Sequence, residues 1–389
     1  KFIMTREEYE MSDEEREKYA EEDAAMEAKL LELTKHSDFQ RAVAPSSDHN
    51  VKGGVTFAGH WNAIWRANLR LRGATRVLVR IGKFRVFHLD ELERLAMDFP
   101  WEDTFRADVP LKIEVTAKDS KVDNTDAIKQ RLAKALQATV GVTVSDTATI
   151  TLRVRIDNNL CLLSVDTSGD ALHIRGHKQF IGKAPMRETF GSLILRHCGY
   201  DGTRPVVDPM CGSGTFPIEA AEIARGLAPG RSREFAFQQL ASFHAERFAA
   251  EVAKIETRDT NLRFYGSDRD AGGVKGATEN AERSGVADII TFKHHAISDL
   301  PRPDGEPGLV MVNPPYGGRI GNKTQLFALY GALGKTLAQN FHGWKVGLIT
   351  SEPSLAKSTA LPWTKDRLTF DHGGMKVSVY QTGPLPRPS

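Results

Sequence analysis

The run Val206-Val207-Asp208-Pro209-Met210-Cys211-Gly212-Ser213-Gly214-Thr215-Phe216 limits what this chain can fold into more than any other stretch. It reads as the end of a short strand, a glycine-rich turn and the start of a helix over 217–224. In an open parallel sheet that arrangement places a ligand at the carboxyl edge of the strands. Glycine takes the positive φ such a turn needs and lets the backbone approach a ligand closely. A phosphate loop would need Gly-x-x-x-x-Gly-Lys-Ser/Thr, which is absent. A dinucleotide turn would need a third glycine where Phe216 or Pro217 stands. Short apolar strands near 206–207, 264–265, 289–292, 309–312 and 346–349 are separated by helical stretches, which implies βαβ units and a largely parallel sheet.

Two further strand ends carry chemistry. In Tyr265-Gly266-Ser267-Asp268-Arg269-Asp270 an acid just past the strand can accept two hydrogen bonds from ribose hydroxyls. The competing reading makes Asp268 or Asp270 the cap of the next helix. The spacing from Asp208 is long for a minimal nucleotide-binding unit, so 225–260 is expected to be an inserted helical excursion. In Val310-Met311-Val312-Asn313-Pro314-Pro315-Tyr316-Gly317-Gly318 two prolines fix φ and remove two backbone donors. The turn that remains offers acceptors, the Asn313 side-chain oxygen and the Pro314 carbonyl. Two such acceptors hold an exocyclic aromatic amine in the base plane and leave its lone pair open to an incoming methyl group. Tyr316 can stack on an extruded base. A Pro-Pro-Tyr turn can also be a mere loop brace. Cys211 reads as a small packed residue rather than a nucleophile.

Upstream of these motifs the texture differs. Residues 1–38 hold 13 Asp/Glu against 6 Lys/Arg, a balance of −7, so the rest of a chain of net charge +2 carries about +9. That excess suits a polyanionic partner. We expect a charged helical arm over 1–50 and a small α/β module over 51–165, with strands near 51–57, 74–81, 111–117, 150–156 and 160–165 and helices over 61–71 and 125–137. A Gly-rich basic connector follows over 166–184, and the domain carrying the motifs occupies 185–389. Lys118, Lys121, Lys129, Arg131 and Lys134 lie in or beside one loop–helix unit, a candidate RNA-phosphate face; Arg175 in the connector is a further candidate. Cys161, Cys198 and Cys211 form no metal or disulfide pattern, which favours a reducing cytoplasm. No apolar run reaches a membrane span, and the first residues show no signal-peptide core. No metal is expected.

Asp-Pro-x-Cys-Gly-Ser-Gly-Thr with Asn-Pro-Pro-Tyr-Gly resembles the amino-methyltransferases of the Rossmann-like class. More narrowly, residues 51–384 are similar to the THUMP-domain-containing bacterial 23S rRNA guanine-N2 methyltransferases. Gly53-Gly54-Val55-Thr56-Phe57, the connector Ser168-Gly169-Asp170-Ala171-Leu172-His173-Ile174-Arg175-Gly176-His177 and Pro185-Met186-Arg187-Glu188-Thr189 carry that resemblance. It implies an α/β fold, a Rossmann-like methyltransferase domain preceded by a small THUMP-type RNA-binding module. The implied donor is S-adenosyl-L-methionine and the implied partner is RNA, 23S rRNA first and tRNA as the alternative. By the same resemblance the donor is held by Asp208, Pro209, Cys211, Gly212, Ser213, Gly214, Thr215, Asp268, Arg269 and Thr189, and the target guanine by Asn313, Pro314, Pro315 and Tyr316. The family places an Asp for the adenine amine where Ala296 stands here, which leaves Asp299, three residues on, as the candidate. Residues 1–50 do not resemble the family's N-terminal ferredoxin-like half. Other readings open at this point are adenine-N6 methylation of DNA, amide methylation of a protein glutamine, and a catalytically silent RNA-binding protein that kept the fold.

Overall fold

Strand pairing in the computed structural model, which describes residues 61–182, 185–316, 323–372 and 375–387, divides the chain into two sheets. The arm over 1–50 and the strand expected at 51–57 lie outside the described residues. The first sheet has the order β1-β4-β3-β2, with β1 Leu78–Arg85, β2 Leu111–Lys118, β3 Ile150–Asp157 and β4 Leu160–Asp166. β2 and β3 run parallel, and β4 is antiparallel to both β3 and β1. Helix α1 (Trp61–Arg70) precedes this sheet; α2 (Leu89–Met97) and α3 (Thr125–Thr139) are threaded through it. Asn124 starts α3 by accepting the Ala127 N–H at 3.0 Å, a side-chain N-cap. Ile128, Leu132 and Leu136 of α3 share one core with Ile113, Leu152, Val154, Ile156, Leu163 and Val165. Alternation puts the intervening residues of β3 and β4 on the opposite face.

Two expectations shift here. The first strand begins at Leu78 rather than 74, because the Thr75 and Val77 carbonyls accept the N–H groups of Leu172 and Thr167. Those hydrogen bonds tie this stretch to the connector instead of the ladder. Helix α2, which the pattern did not suggest, supplies Leu92 and Ala96 to the core.

The second sheet has seven strands in the order β10-β11-β9-β8-β5-β6-β7. They are β5 Val206–Asp208, β6 Phe264–Asp268, β7 Ile290–His294, β8 Leu309–Val312, β9 Lys345–Thr350, β10 Leu368–His372 and β11 Met375–Gln381. β5 to β9 are parallel, and the hairpin β10–β11 adds antiparallel to β9. Leu309 and Met311 of β8 enter one core while Val310 and Val312 enter the other. Burial on both faces explains why these strands read as unbroken apolar runs. The helices are α4 Glu188–His197, α5 Thr215–Ala224, α6 Ala245–Ala253, α7 Ala271–Ser284, α8 Lys323–Asn340 and α9 Pro353–Ser358.

The excursion over 225–260 is helical only at a short 3-10 turn, Ala236–Gln239, and at α6. Its Phe237, Phe243 and Phe248 pack with Trp65 of α1 at ring-centroid distances of 6.1–6.3 Å, and Phe235 stacks on Phe237 at 5.1 Å. The insertion thus completes the core of the first module. A buried ionic cluster reinforces that junction. Glu219 and Glu222 of α5, 1% and 0% exposed, accept Arg72 at 2.9 and 3.1 Å. Arg175 reaches Glu219 at 3.1 Å and Arg231 reaches Glu222 at 2.7 Å.

Candidate active site

The chain runs from β5 outward to β6 and β7, then returns to build β8 and β9 on the other side of β5. That reversal opens a crevice above the carboxyl ends of β5 and β8, the place where such sheets bind ligands. Asp208 closes β5, Asp268 closes β6, and Asn313 follows β8 directly. Three motifs far apart in sequence therefore converge on one edge.

Asp208 is buried, and among the described residues its Oδ1 accepts only the Met210 N–H, at 3.1 Å. Burial pushes its carboxyl well above the ordinary range, the Met210 N–H opposes this, and the Asp268 charge adds to it. A cationic group of a ligand would supply the missing countercharge. Pro209 and Cys211 are buried behind it. The Cys211 N–H is bound to the Ser267 carbonyl at 2.9 Å, and burial raises its thiol well above the usual value, so the side chain packs and does not react. Gly212 has φ +51° with open space where a Cβ would stand, a surface the backbone leaves free for a ligand. Gly214 has φ +82°, and a Cβ there would meet Ala277, Ile218 and Phe292 at 3.1–3.2 Å. Both conformation and space therefore require glycine at 214.

The two readings of the second acid are separated. Asp270 is the helix cap, accepting Gly272 N–H at 3.0 Å at the start of α7. Asp268 is not; its Oδ2 accepts Gly212 N–H at 3.0 Å and its Oδ1 accepts Asp270 N–H at 2.9 Å. An ionised carboxylate has about four acceptor sites, so two remain for ribose hydroxyls. Arg269 is exposed beside it, its carbonyl 2.9 Å from His294 Nε2. Asp299 is exposed in a 3-10 turn after β7.

At the third strand end Asn313 Oδ1 is buried with no hydrogen-bond partner among the described residues. Buried acceptors are nearly always paired, so this one marks a place for a donor from a ligand. The Tyr330 hydroxyl of α8 donates to the Pro315 carbonyl at 3.3 Å and braces the turn from behind. Tyr316 is half-buried where the two cores of the sheet meet. Gly317 and Gly318 lie outside the described residues.

A roof covers the glycine turn. Lys178, from the connector, donates to the Met186 carbonyl at 2.6 Å and to Thr215 Oγ1 at 2.9 Å, and lies 3.5 Å from Glu188. Burial lowers its ammonium below the ordinary value, partly offset by Glu188. Asn280 of α7 accepts the N–H groups of Gln179 and Phe180 at 3.1 Å and donates to the Phe180 and Ser213 carbonyls at 3.0 Å. One side chain thus ties the connector to the turn. Thr189 Oγ1, Ser192 Oγ and Ser267 Oγ are buried without hydrogen-bond partners among the described residues. Orphan hydroxyls, an uncompensated acid and an orphan amide oxygen together fit a polar ligand with a ribose and a cationic end. Lys178, Asn280 and Tyr330 escaped the sequence reading because each lies outside a motif; only Lys178, in a connector already singled out, offered a signal.

Arg175 requires a correction. Expected at phosphate, it is 1% exposed and bound to Glu219 and to the carbonyls of Leu172 and Arg72, because the connector runs through the domain junction. Of the loop–helix cations, Lys129 pairs with Asp146 at 2.8 Å, Lys134 with Glu93 at 2.6 Å, and Arg131 with Glu93 and Asp90. Lys121 lies 5.6 Å over the Phe87 ring, and Lys118 is exposed at the end of β2. Among the described residues no group of three His, Cys, Asp or Glu could hold a metal, and no helix is long and apolar enough to cross a membrane.

Residues 175–375, more than half of the chain, match the family model of the RMKL-like methyltransferase domain. The chain belongs to this family. Ahead of its RMKL-like domain, residues 87–166 match the THUMP domain, and 49–78 match the RlmL ferredoxin-like domain. The fold is therefore a THUMP domain followed by a Rossmann-like methyltransferase domain. The ribosomal RNA large subunit methyltransferase K/L of Aliivibrio fischeri is 33% identical over 321 residues, 78% of this chain and 45% of its own length. The chain thus spans about half the length of that curated relative. Among solved structures, a methylase from Listeria monocytogenes, described as N6-adenine-specific for DNA, is 31% identical with a TM-score of 0.74, covering 84% of this chain and 87% of that one. The methyltransferase SMU.472, solved with SAH, is 26% identical with a TM-score of 0.73, covering 85% and 89%.

Proposed function

We propose that this RMKL-like methyltransferase transfers a methyl group from S-adenosylmethionine to the exocyclic N2 amine of a guanine in 23S rRNA. The observation that carries this reading is the buried, unpartnered Asn313 Oδ1 at the crevice above β5 and β8. When bound, the donor supplies an electrophilic methyl on a sulfonium and leaves as a neutral thioether. Asp208 would face its cationic end, Asp268 would accept its ribose hydroxyls, and the open face of Gly212 would lie against it. Asn313 Oδ1 and the Pro314 carbonyl accept the two amine N–H groups, which orients the nitrogen lone pair toward the methyl carbon. With both N–H groups held, the nitrogen would be placed to accept the methyl group as its bond to sulfur breaks, and the surplus proton would pass to solvent. No strong base is needed, because a methylated ammonium on an aromatic ring is acidic. Tyr316 stacks on the base, compensating part of the stacking lost on extrusion. The THUMP match and the relationship to the K/L enzyme support RNA as the substrate.

Two measurements test this reading. Mass analysis of nucleosides from rRNA, tRNA and DNA, with and without the protein, is expected to show loss of one N2-methylguanosine from 23S rRNA. The Listeria relative favours a second reading, adenine N6, since two acceptors serve either amine; loss of N6-methyladenine with N2-methylguanosine unchanged would select it. Asp268→Ala is expected to weaken donor binding by about 1.5–3 kcal/mol, the scale of hydrogen bonds to a charged group. Calorimetric titration with unchanged affinity would remove Asp268 from the donor site.

A further inference from the structure

We infer that the outer row of β1, Arg80, Lys83 and Arg85, with Phe87 and Lys121 at its end, is the surface on which this protein docks the RNA backbone. The inference rests on RNA being the substrate and says which face holds it. A strand turns every second residue to one face, so 80 and 83 ought to point to opposite sides. The ladder between β1 and β4 slips by one residue between Arg80 and Gly82. Arg80 then lies opposite Ser164, Lys83 opposite Leu162 and Arg85 opposite Leu160, all on the same side of β4. A bulge re-aims side chains in this way. On the other side, a Cβ on Gly82 would meet Phe99 and Leu163 of the core, which confirms that the three cations face outward. All three are exposed.

The charge balance selects this row over the rest of the module. Most outward cations of β2 and β3 are compensated by acids: Lys112 and Arg153 bind Glu114 at 2.9 and 2.8 Å, and Arg155 lies 3.4 Å from Asp157. Asp166 is held by Arg76 at 2.7 Å. The cations of α3 are compensated by Asp146, Glu93 and Asp90. Arg80 and Lys83 have no acidic partner among the described residues, and Arg85 reaches only the Asn158 carbonyl, at 3.3 Å. Asn159 extends the surface, since its Oδ1 accepts Lys121 N–H at 2.8 Å and its carbonyl accepts Val86 N–H at 2.9 Å. That pairing brings Lys121 over the exposed Phe87 ring at the end of the row. Uncompensated cations in line with an accessible aromatic ring match a phosphate backbone with a base beside it. Leu78, 49% exposed, continues the row at its other end.

Charged residues on an outer strand can also serve only to block pairing with other strands, and glutamate serves that purpose as well as arginine. The triple variant Arg80→Glu, Lys83→Glu, Arg85→Glu therefore separates the two roles. With a full-length 23S rRNA transcript as probe, affinity is expected to fall at least about tenfold. The slope of log affinity against log salt is expected to shrink by about 2–3, from three lost phosphate contacts at roughly 0.7–0.9 each. Lys83→Arg is expected to bind as wild type, and Lys129→Gln with Lys134→Gln to change the slope by less than one. Unchanged affinity and slope in the triple variant, with its melting temperature preserved, would overturn the proposal. So would loss of binding to phosphatidylserine vesicles while RNA binding stays the same. If the triple variant melts early, Lys83→Glu alone decides, with a slope change near one expected and none overturning it. A wild-type chain that does not bind RNA would remove the RNA reading itself; one that binds while the variants match it would remove only this surface.

Discussion

Replacing Asn313 by alanine is expected to lower the rate of methyl transfer by about 10²–10³-fold or more while donor affinity stays unchanged. That is the scale on which enzymes lose rate when one preorganised polar partner of the transition state is removed. Asn313 Oδ1 is buried and unpaired among the described residues, so it stands ready for the target amine, and alanine offers no acceptor in its place. The prolines that follow leave the turn with acceptors and no competing N–H, and Tyr330 holds the Pro315 carbonyl in place. Single-turnover kinetics together with calorimetric titration of the donor separate the two effects. Undiminished turnover by the alanine variant would remove Asn313 from the chemistry. Weakened donor binding would instead assign it to the donor.

The second large effect is on stability. Glu222→Gln is expected to destabilise the protein by about 3–5 kcal/mol, the range for breaking a buried ion pair from one side. Glu222 is fully buried and receives Arg72 and Arg231, so removing its charge takes one of two buried anions from Arg72, which keeps Glu219, and takes the carboxylate partner from the partly exposed Arg231. Burial alone would raise the Glu222 carboxyl, but Arg72 and Arg231 outweigh it and hold it below its ordinary 4.5. A depressed carboxyl contributes stability that is complete above its ordinary value and lost as pH falls through the lowered one. Acid should therefore narrow the gap between wild type and variant. Urea denaturation at neutral and acidic pH measures both quantities. Adding Arg72→Met to the variant should cost less than the same change in wild type, because residues in one network are not additive. Equal costs would mean that Arg72 and Glu222 act independently.

The parts of the candidate site were legible in the sequence because all three are local. A glycine turn, an acid at a strand end and an Asn-Pro-Pro-Tyr turn each fit within about ten residues, and each constrains the backbone by its own chemistry. The order of apolar runs and helices was enough to require a parallel sheet and to put those turns on one edge of it. The sequence alone could not say which of Asp268 and Asp270 caps the helix, since both types of acid suit both roles. Nor could it show that Arg175 is sealed into the domain junction, because a basic connector residue looks the same whether it meets phosphate or glutamate.

Everything that depends on partners distant in the chain was decided by tertiary structure. The stretch over 225–260 reads as an inserted helical excursion, yet its phenylalanines fill the core of the preceding module around Trp65. The cations of α3 read as an open basic face, yet acids brought from α2 and from the loop before β3 neutralise them. Arg80, Lys83 and Arg85 share a face only because the β1–β4 register slips by one residue. Local chemistry determined which polar groups stand at the sheet edge. Long-range pairing, which no window of sequence contains, decided which charges remain available outside it.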